Sequence, residues 1–172
     1  MLDKGYIQVY TGNGKGKTTA ALGIALRTIC AGNKVFIGQF MKGQSYSELR
    51  ATELLPGLEM EQFGDPDFLK GEPTHKDYEN AKKGIHRIKE VIEGGEYDMV
   101  ILDEINTTLF FKLLEVEEVL EVLALKPENM ELILTGRYAP EEIIAAADLV
   151  TEMKEIKHYF TEGVVARAGI ES

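Results

Sequence analysis

A strand-like run at residues 6–10 meets a helix-like run at residues 18–31 through Thr11-Gly12-Asn13-Gly14-Lys15-Gly16-Lys17-Thr18-Thr19. Strand, glycine-rich loop, lysine, hydroxyl and helix in that order have one well-understood physical use. Gly12, Gly14 and Gly16 can take backbone angles closed to residues with a Cβ. They let successive N–H groups turn inward and ring a phosphate, while the helix behind the loop points its positive end at the same place. Lys17 adds a mobile charge for the terminal phosphates, and the Thr18 hydroxyl suits a Mg²⁺ or Mn²⁺ ion. Gly12, Asn13, Gly14, Lys15, Gly16, Lys17, Thr18 and Thr19 are therefore expected to hold ATP. In the general pattern G-x-x-x-x-G-K-[ST] the first glycine would fall at Thr11, yet here it stands one place later, at Gly12. The loop is thus a variant, and an altered seat for the nucleotide is expected.

A length of 172 residues fits one domain with a sizeable core, so a single domain over residues 1–172 is expected. The net charge of −10 disfavours a nucleic-acid partner, which needs a basic face. No apolar run is long enough to span a membrane, and the first strand begins too early to leave room for a signal peptide. Cys30 is the only cysteine, which excludes an internal disulfide. Beside Ile29, late in the first helix, it reads as a small buried side chain. A cytoplasmic protein is expected.

Runs at 34–40, 99–102 and 131–135 read as further strands, with a weaker one at 58–63, and apolar runs such as 99–102 and 131–135 suit burial on both faces. Helical spacing appears at 76–93, where Ile85, Ile88 and Ile92 recur, and again at 116–125. Pro140 opens another helix running to about Ala147, at a position where proline is welcome. The alternation predicts an α/β, three-layer P-loop NTPase (RecA-like) fold with a mainly parallel central sheet. Binding sites in such sheets lie beyond the C-terminal strand ends. Residues 41–46 and 64–74 read as long loops, either a lid for a second substrate or plain connections.

The apolar strand at 99–102 ends in Asp103 and Glu104, the place where P-loop proteins hold the acidic partner of the metal. Either acid could be the direct ligand, with Thr18 completing the protein's share. Arg137, in Leu134-Thr135-Gly136-Arg137 at another strand end, is expected to reach the phosphates. His75 and His86 lie in or near a charged helix and read as solvated, His158 lies in the C-terminal tail, and three scattered histidines do not make a metal site.

Gly12 to Thr19, Gln39-Phe40-Met41-Lys42-Gly43, Leu102-Asp103-Glu104 and Thr135-Gly136-Arg137 resemble the P-loop type of corrinoid adenosyltransferase. Ala147-Asp148-Leu149-Val150-Thr151-Glu152-Met153, Lys157-His158 and Gly163-Val164-Val165-Ala166-Arg167-Ala168-Gly169-Ile170-Glu171 continue the match in the same order. The resemblance implies that a reduced corrinoid attacks the 5′ carbon of ATP through Co(I), forming a cobalt–carbon bond and releasing triphosphate. It implies a reversed triphosphate, in keeping with the displaced glycine. Lys17 and Arg137 would be catalytic, Lys42 would help bind the substrates, and a homodimer and a separate flavoprotein reductase are implied as partners. Family members place a Phe and a Trp over the corrinoid in the loop after the third strand. This chain has no Trp, so Phe68 is assigned part of that role. Tyr46 stands near the position of a second family Trp.

Two other classes stay open. A small-molecule kinase would transfer phosphate, although the Arg-rich lid usual for such kinases does not appear between Glu115 and Ala139. A non-catalytic ATP-binding module would bind tightly without turnover.

Overall fold

The computed structural model of the chain describes residues 2–44, 46–65 and 72–171. Its elements are β1 (Ile7–Thr11), α1 (Lys17–Cys30), β2 (Val35–Phe40), α2 (Ala51–Leu54), β3 (Leu58–Phe63), α3 (His75–Gly94), β4 (Met99–Asp103), α4 (Ile105–Phe110), α5 (Val116–Leu125), β5 (Glu131–Thr135), α6 (Glu141–Ala146) and β6 (Leu149–Glu152). Short 3₁₀ turns occupy Ser47–Arg50 and Tyr159–Glu162. The strands form one six-stranded sheet in the order β3-β2-β4-β5-β1-β6, and every neighbouring pair is parallel. No helix among the described residues is long and apolar enough to cross a membrane.

Strand composition explains the layering. Every residue of β2, β4 and β5 is buried, and alternate side chains point to opposite faces. Val100, Leu102, Leu132 and Leu134 join Phe36 and Phe40 in one core, closed by Ile85 and Ile88 of α3, Val119 and Val122 of α5 and Ile143 of α6. Met99, Ile101 and Ile133 join Val35 and Ile37 in the other, closed by Ala21 and Ala25 of α1. The small side chains of α1 let that helix lie close to the sheet, which brings its N-terminus over the strand ends. β5 stands between β1, which feeds the glycine loop, and β4, which ends in Asp103.

Helix ends follow local chemistry. Thr74 and Asp77 close a capping box at the start of α3, and Gly95 ends it in the left-handed region at φ 64. Glu115 and Glu118 form the same reciprocal cap on α5. Pro140 is the cap before α6 rather than its first residue. The strands at 58–63 and 131–135 and the helix at 116–125 stand where the pattern put them. The short α4 and the edge strand β6 were not expected, and the chain after residue 46 enters a 3₁₀ turn and α2. Cys30 is exposed, contrary to expectation. The buried stripe of α1 runs through Ala21, Ala25 and Thr28, and two residues on from Thr28 the helix has turned about 200° away from it.

Gly84 marks a tight approach of α3 to the sheet. A Cβ there would meet ring atoms of Phe40 and Phe63 at 2.8 Å. Helix propensity favours Ala over Gly by about 1 kcal/mol, but neither ring can retreat within a packed core. Gly84→Ala is expected to destabilise the protein by about 1–3 kcal/mol, the usual cost of overpacking, read as a lowered urea midpoint. A stabilised variant would show that the gap beneath α3 is wider than the geometry indicates.

Candidate active site

Backbone geometry first shapes the glycine loop. Gly12 and Gly16 take φ of 96 and 118, the region that glycine alone enters cheaply. The reason differs at each end. A Cβ on Gly12 would lie 2.5 Å from the carbonyl oxygen of Met153, and one on Gly14 would lie 2.7 Å from the same oxygen. Gly14 N–H donates to that carbonyl at 2.6 Å. The chain leaving β6 therefore presses on the loop, and Gly12 and Gly14 admit it. Thr11, where the general pattern has glycine, is instead the last residue of β1 and pairs with Glu152. Gly16, where a Cβ would meet only Met153 Sδ in ordinary contact at 3.5 Å, is the cap that turns the loop into α1.

Lys17 is buried, and its Nζ donates to the carbonyls of Gly12 and Gly14 at 2.8 Å each. Burial lowers the pKa of its ammonium below the ordinary lysine value. Glu104 opposes that shift, Arg137 adds to it, and Asp103 opposes it. Thr18 Oγ1 donates to Asp103 Oδ1 at 2.8 Å, and Thr135 Oγ1 donates to the same oxygen at 2.7 Å. Asp103 Oδ2 accepts from Lys42 Nζ at 2.7 Å and from Gln39 Nε2 at 3.3 Å. Burial works against the Lys42 ammonium, but the charge and hydrogen bond of Asp103, with Glu104 and Glu48 behind it, outweigh that and raise its pKa. Glu104 sits one residue further on, in the left-handed region at φ 62. Its N–H donates to Thr135 Oγ1 at 2.9 Å, and its Oε2 accepts from Thr107 Oγ1 at 2.5 Å. The two acids thus divide their positions: Asp103 lies beneath the site, while Glu104 faces a cleft of about 630 Å³.

That cleft is lined by Gly14, Lys15, Gly16, Lys17, Thr18, Thr19, Lys42, Glu104 and Arg137, which residue patterns had singled out. Gly12 and Asn13 fall outside the lining, Gly12 being taken up by the Met153 contact. Phe68 lies outside the described residues. Tyr46 lines the cleft with its ring 5.3 Å from Lys42 Nζ. Other lining residues had no site role assigned: Glu48, together with His158, Ile170 and Glu171, which stand in stretches that carry the family resemblance. The last three belong to a tail that folds back over the loop, where Lys15 Nζ donates to the Ile170 carbonyl at 2.9 Å. Gln39, fully buried and bonded to Asp103, also had no role assigned, although it opens the family-like stretch at 39–43 and is a polar side chain inside an apolar strand. Asn106 is fully buried, and neither atom of its amide has a hydrogen-bond partner among the described residues.

Thr18, Asp103 and Glu104 present hard oxygens that suit Mg²⁺, which favours one or two carboxylates with phosphate oxygens and water completing its shell. Lys17 and Arg137 bring positive charge to the same cleft. The arrangement can grip a polyphosphate and stabilise negative charge that develops on it.

The family described as ATP:corrinoid adenosyltransferase BtuR/CobO/CobP matches residues 3–172. A corrinoid adenosyltransferase of Sinorhizobium sp is 38% identical over 98% of this chain and 81% of its own length. Those of Escherichia coli strain K12 and Salmonella typhimurium strain LT2 are each 34% identical over 98% of this chain and 86% of theirs.

Lys42 and Asp103 form a nearly enclosed pair, with side chains 14% and 1% exposed. Lys42→Met is expected to cost about 3 kcal/mol because it strands a buried carboxylate, and the Lys42→Met/Asp103→Asn double variant should recover most of that loss. Because the folded pKa of Lys42 lies above its ordinary 10.5, the contribution is complete below that value and fades only as pH rises through the folded one. Urea titrations of the parent protein, Lys42→Met, Asp103→Asn and the double variant check this, and additive losses would show that the pair is not coupled.

Proposed function

The chain belongs to the ATP:corrinoid adenosyltransferase family, and from that membership we propose how its residues carry the reaction. It transfers the 5′-deoxyadenosyl group of ATP to the Co(I) of a reduced corrinoid and releases triphosphate. The cobalt electron pair forms a bond to C5′, the C5′–O bond breaks, and its electron pair leaves with the triphosphate. Cobalt is oxidised formally from Co(I) to Co(III), and no proton moves, so no general base is required. The protein's work is alignment and stabilisation of the leaving group.

The observation that carries this reading is the convergence of Lys17 and Arg137 on one cleft, close enough that Arg137 works against the charge on Lys17. A site that gathers positive charge in this way is suited to a leaving group that becomes more negative. In our reading the N–H groups of residues 15–19 hold phosphate oxygens, Gly14 N–H being taken up by the Met153 carbonyl, and Lys17 leaves the Gly12 and Gly14 carbonyls to do the same. Gly12 and Asn13 set the entry to the loop, and Lys42 stands at the acceptor side with Tyr46. Thr18 and Glu104 would hold Mg²⁺ directly, with Asp103 orienting Thr18, and the ion supplies further charge neutralisation when bound. Phe68 is proposed to cover the corrinoid. We place the enzyme in the cytoplasm as a homodimer of single-domain subunits, supplied with electrons by a separate flavoprotein. The acidic charge of −10 is in keeping with small-molecule rather than nucleic-acid partners.

Supplying ATP, Mg²⁺ and a chemically reduced corrinoid should give the absorbance change of an adenosylated product together with triphosphate. ADP and a phosphorylated acceptor would overturn the proposal in favour of phosphoryl transfer. Lys17→Ala should lower the rate by roughly 10²–10³, the cost of one well-placed donor, without loss of folded protein by circular dichroism. Glu104→Ala should raise the Mg²⁺ concentration needed for half-maximal rate, and an unaltered requirement would reassign the metal contact to Asp103.

A further inference from the structure

We propose that the exposed rings of Phe110, Phe111 and Tyr138 form a platform on which the macrocycle of the corrinoid lies while its cobalt faces the nucleotide. The inference rests on the adenosyl-transfer reading and adds the residues that hold the acceptor. Phe110 is 52% exposed, Phe111 37% and Tyr138 50%. Phe110 and Tyr138 lie with ring centroids 4.2 Å apart and planes 30° from parallel, and Phe111 meets Phe110 edge-on at 5.4 Å. Phenylalanine has no polar group to reward exposure, and clustered exposed rings mark a contact surface.

The platform is fastened to the rim of the nucleotide cleft. Thr107, one helical turn before Phe110 and Phe111, accepts a hydrogen bond at its Oγ1 from the N–H of Arg137 at 3.1 Å and donates to Glu104. A Cβ on Gly136 would lie 2.7 Å from the Thr107 nitrogen. That close approach presses the turn after β5 against α4 and lays Tyr138 on Phe110. Tyr138 and Lys112 both hold positive φ, 60 and 56, where ordinary residues are rarely found. Such strain gathers at ligand-holding sites. Framework contacts therefore set these rings in place beside two groups already assigned to the nucleotide.

The occupant follows from geometry and size. A cleft of about 630 Å³ lined by the loop, Lys17 and Thr18 suits a nucleotide, so the large acceptor must approach from the rim. Its cobalt has to come within bonding distance of C5′, which brings a broad, flat, largely apolar macrocycle against that rim. The three rings expose on the order of 300 Å², short of the roughly 800 Å² per partner that a stable protein interface covers. That area suits one face of a macrocycle. Lys112 and Arg137 are the chain neighbours of Phe111 and Tyr138, so positive charge is available close to a corrinoid edge that carries amide and carboxylate arms.

Phe110→Ala, Tyr138→Gly, the double variant and Tyr138→Phe test the platform. Glycine at 138 relieves the positive φ, so loss of the ring is separated from loss of the fold. Assays would use chemical reduction, saturating ATP and Mg²⁺, with equilibrium dialysis of the Co(II) corrinoid as a readout that needs no turnover. The double variant should raise both the corrinoid KM and its dissociation constant about tenfold or more, and leave the ATP KM within about twofold. Tyr138→Phe should behave as the parent protein. Unchanged corrinoid KM and dissociation constant would overturn the platform. So would a change in oligomeric state with unaltered corrinoid affinity, or a loss confined to assays in which a flavoprotein supplies the electrons. A parent protein that neither retains nor adenosylates any corrinoid would overturn the transfer reading itself.

Discussion

Asp103 is 1% exposed and accepts from four donors: the hydroxyls of Thr18 and Thr135, the Lys42 ammonium and the Gln39 amide. The donors come from three separate stretches of chain. Thr18 lies in the first turn of α1, Thr135 ends β5, and Gln39 and Lys42 belong to β2 and the residues just after it. A carboxylate this deep would be costly if left unpaired, so the three stretches are held to one arrangement. That arrangement fixes the height of α1 above the sheet. It also leaves the next residue, Glu104, no route but outward, through a left-handed turn into the cleft. The insertion of β5 between β1 and β4 is what makes the arrangement possible, because it delivers Thr135 between the loop and the acid.

The displaced glycine acquires a cause from the same framework. Read as sequence, Gly12 signalled an unusual seat for phosphate. In the fold, Gly12 and Gly14 lie against the backbone of Met153, and Gly14 donates to its carbonyl. β6 pairs beside β1 from Gln8 to Thr11, so the chain that leaves it must run alongside the chain that leaves β1. A side chain at either glycine would force them apart. Two demands, accommodating a neighbouring strand and ringing a phosphate, fall on one short loop. Only Gly16 is left with the second alone.

Much of this was legible in the residue pattern, and the rest was hidden for physical reasons. Strands such as β4 and β5 announce themselves because burial on both faces demands an unbroken apolar run. Leu149–Glu152 is exposed throughout, so no hydrophobic period marks it. It holds by backbone pairing to β1, and the Asp148 carboxylate receives the Ile7 N–H at 2.8 Å. α4 carries Asn106, Thr107 and Thr108 in six residues, a composition without an apolar stripe. Cys30 was misplaced because a helix turns far enough in two residues to carry a side chain from core to solvent. Asp103 and Glu104 could not be told apart as letters, since only the burial of one and the turn at the other separate them. Gln39 and Thr135 gave little signal inside strands that read as apolar, although they complete the hydrogen bonding of Asp103.

Among the described residues, four other than glycine have positive φ: Met41, Glu104, Lys112 and Tyr138. Met41 and Glu104 directly follow β2 and β4, Tyr138 comes three residues after β5, and Lys112 ends the turn of α4 that carries the exposed rings. Each such conformation costs on the order of 1 kcal/mol or more. At Met41, Glu104 and Tyr138 the cost is borne where the chain leaves the sheet, and it is offset by the strands β2, β4 and β5, buried along their whole length beneath. Relaxing any of these turns would redirect a neighbouring side chain: Lys42 after Met41, Glu104 itself, Arg137 before Tyr138. The sheet is the stable part, and the strain at its C-terminal edge is what aims the charged groups at a common point. The site and the platform thus have one physical origin, a rigid parallel sheet whose strand ends are bent out of their preferred paths by the packing around Asp103 and Gly136.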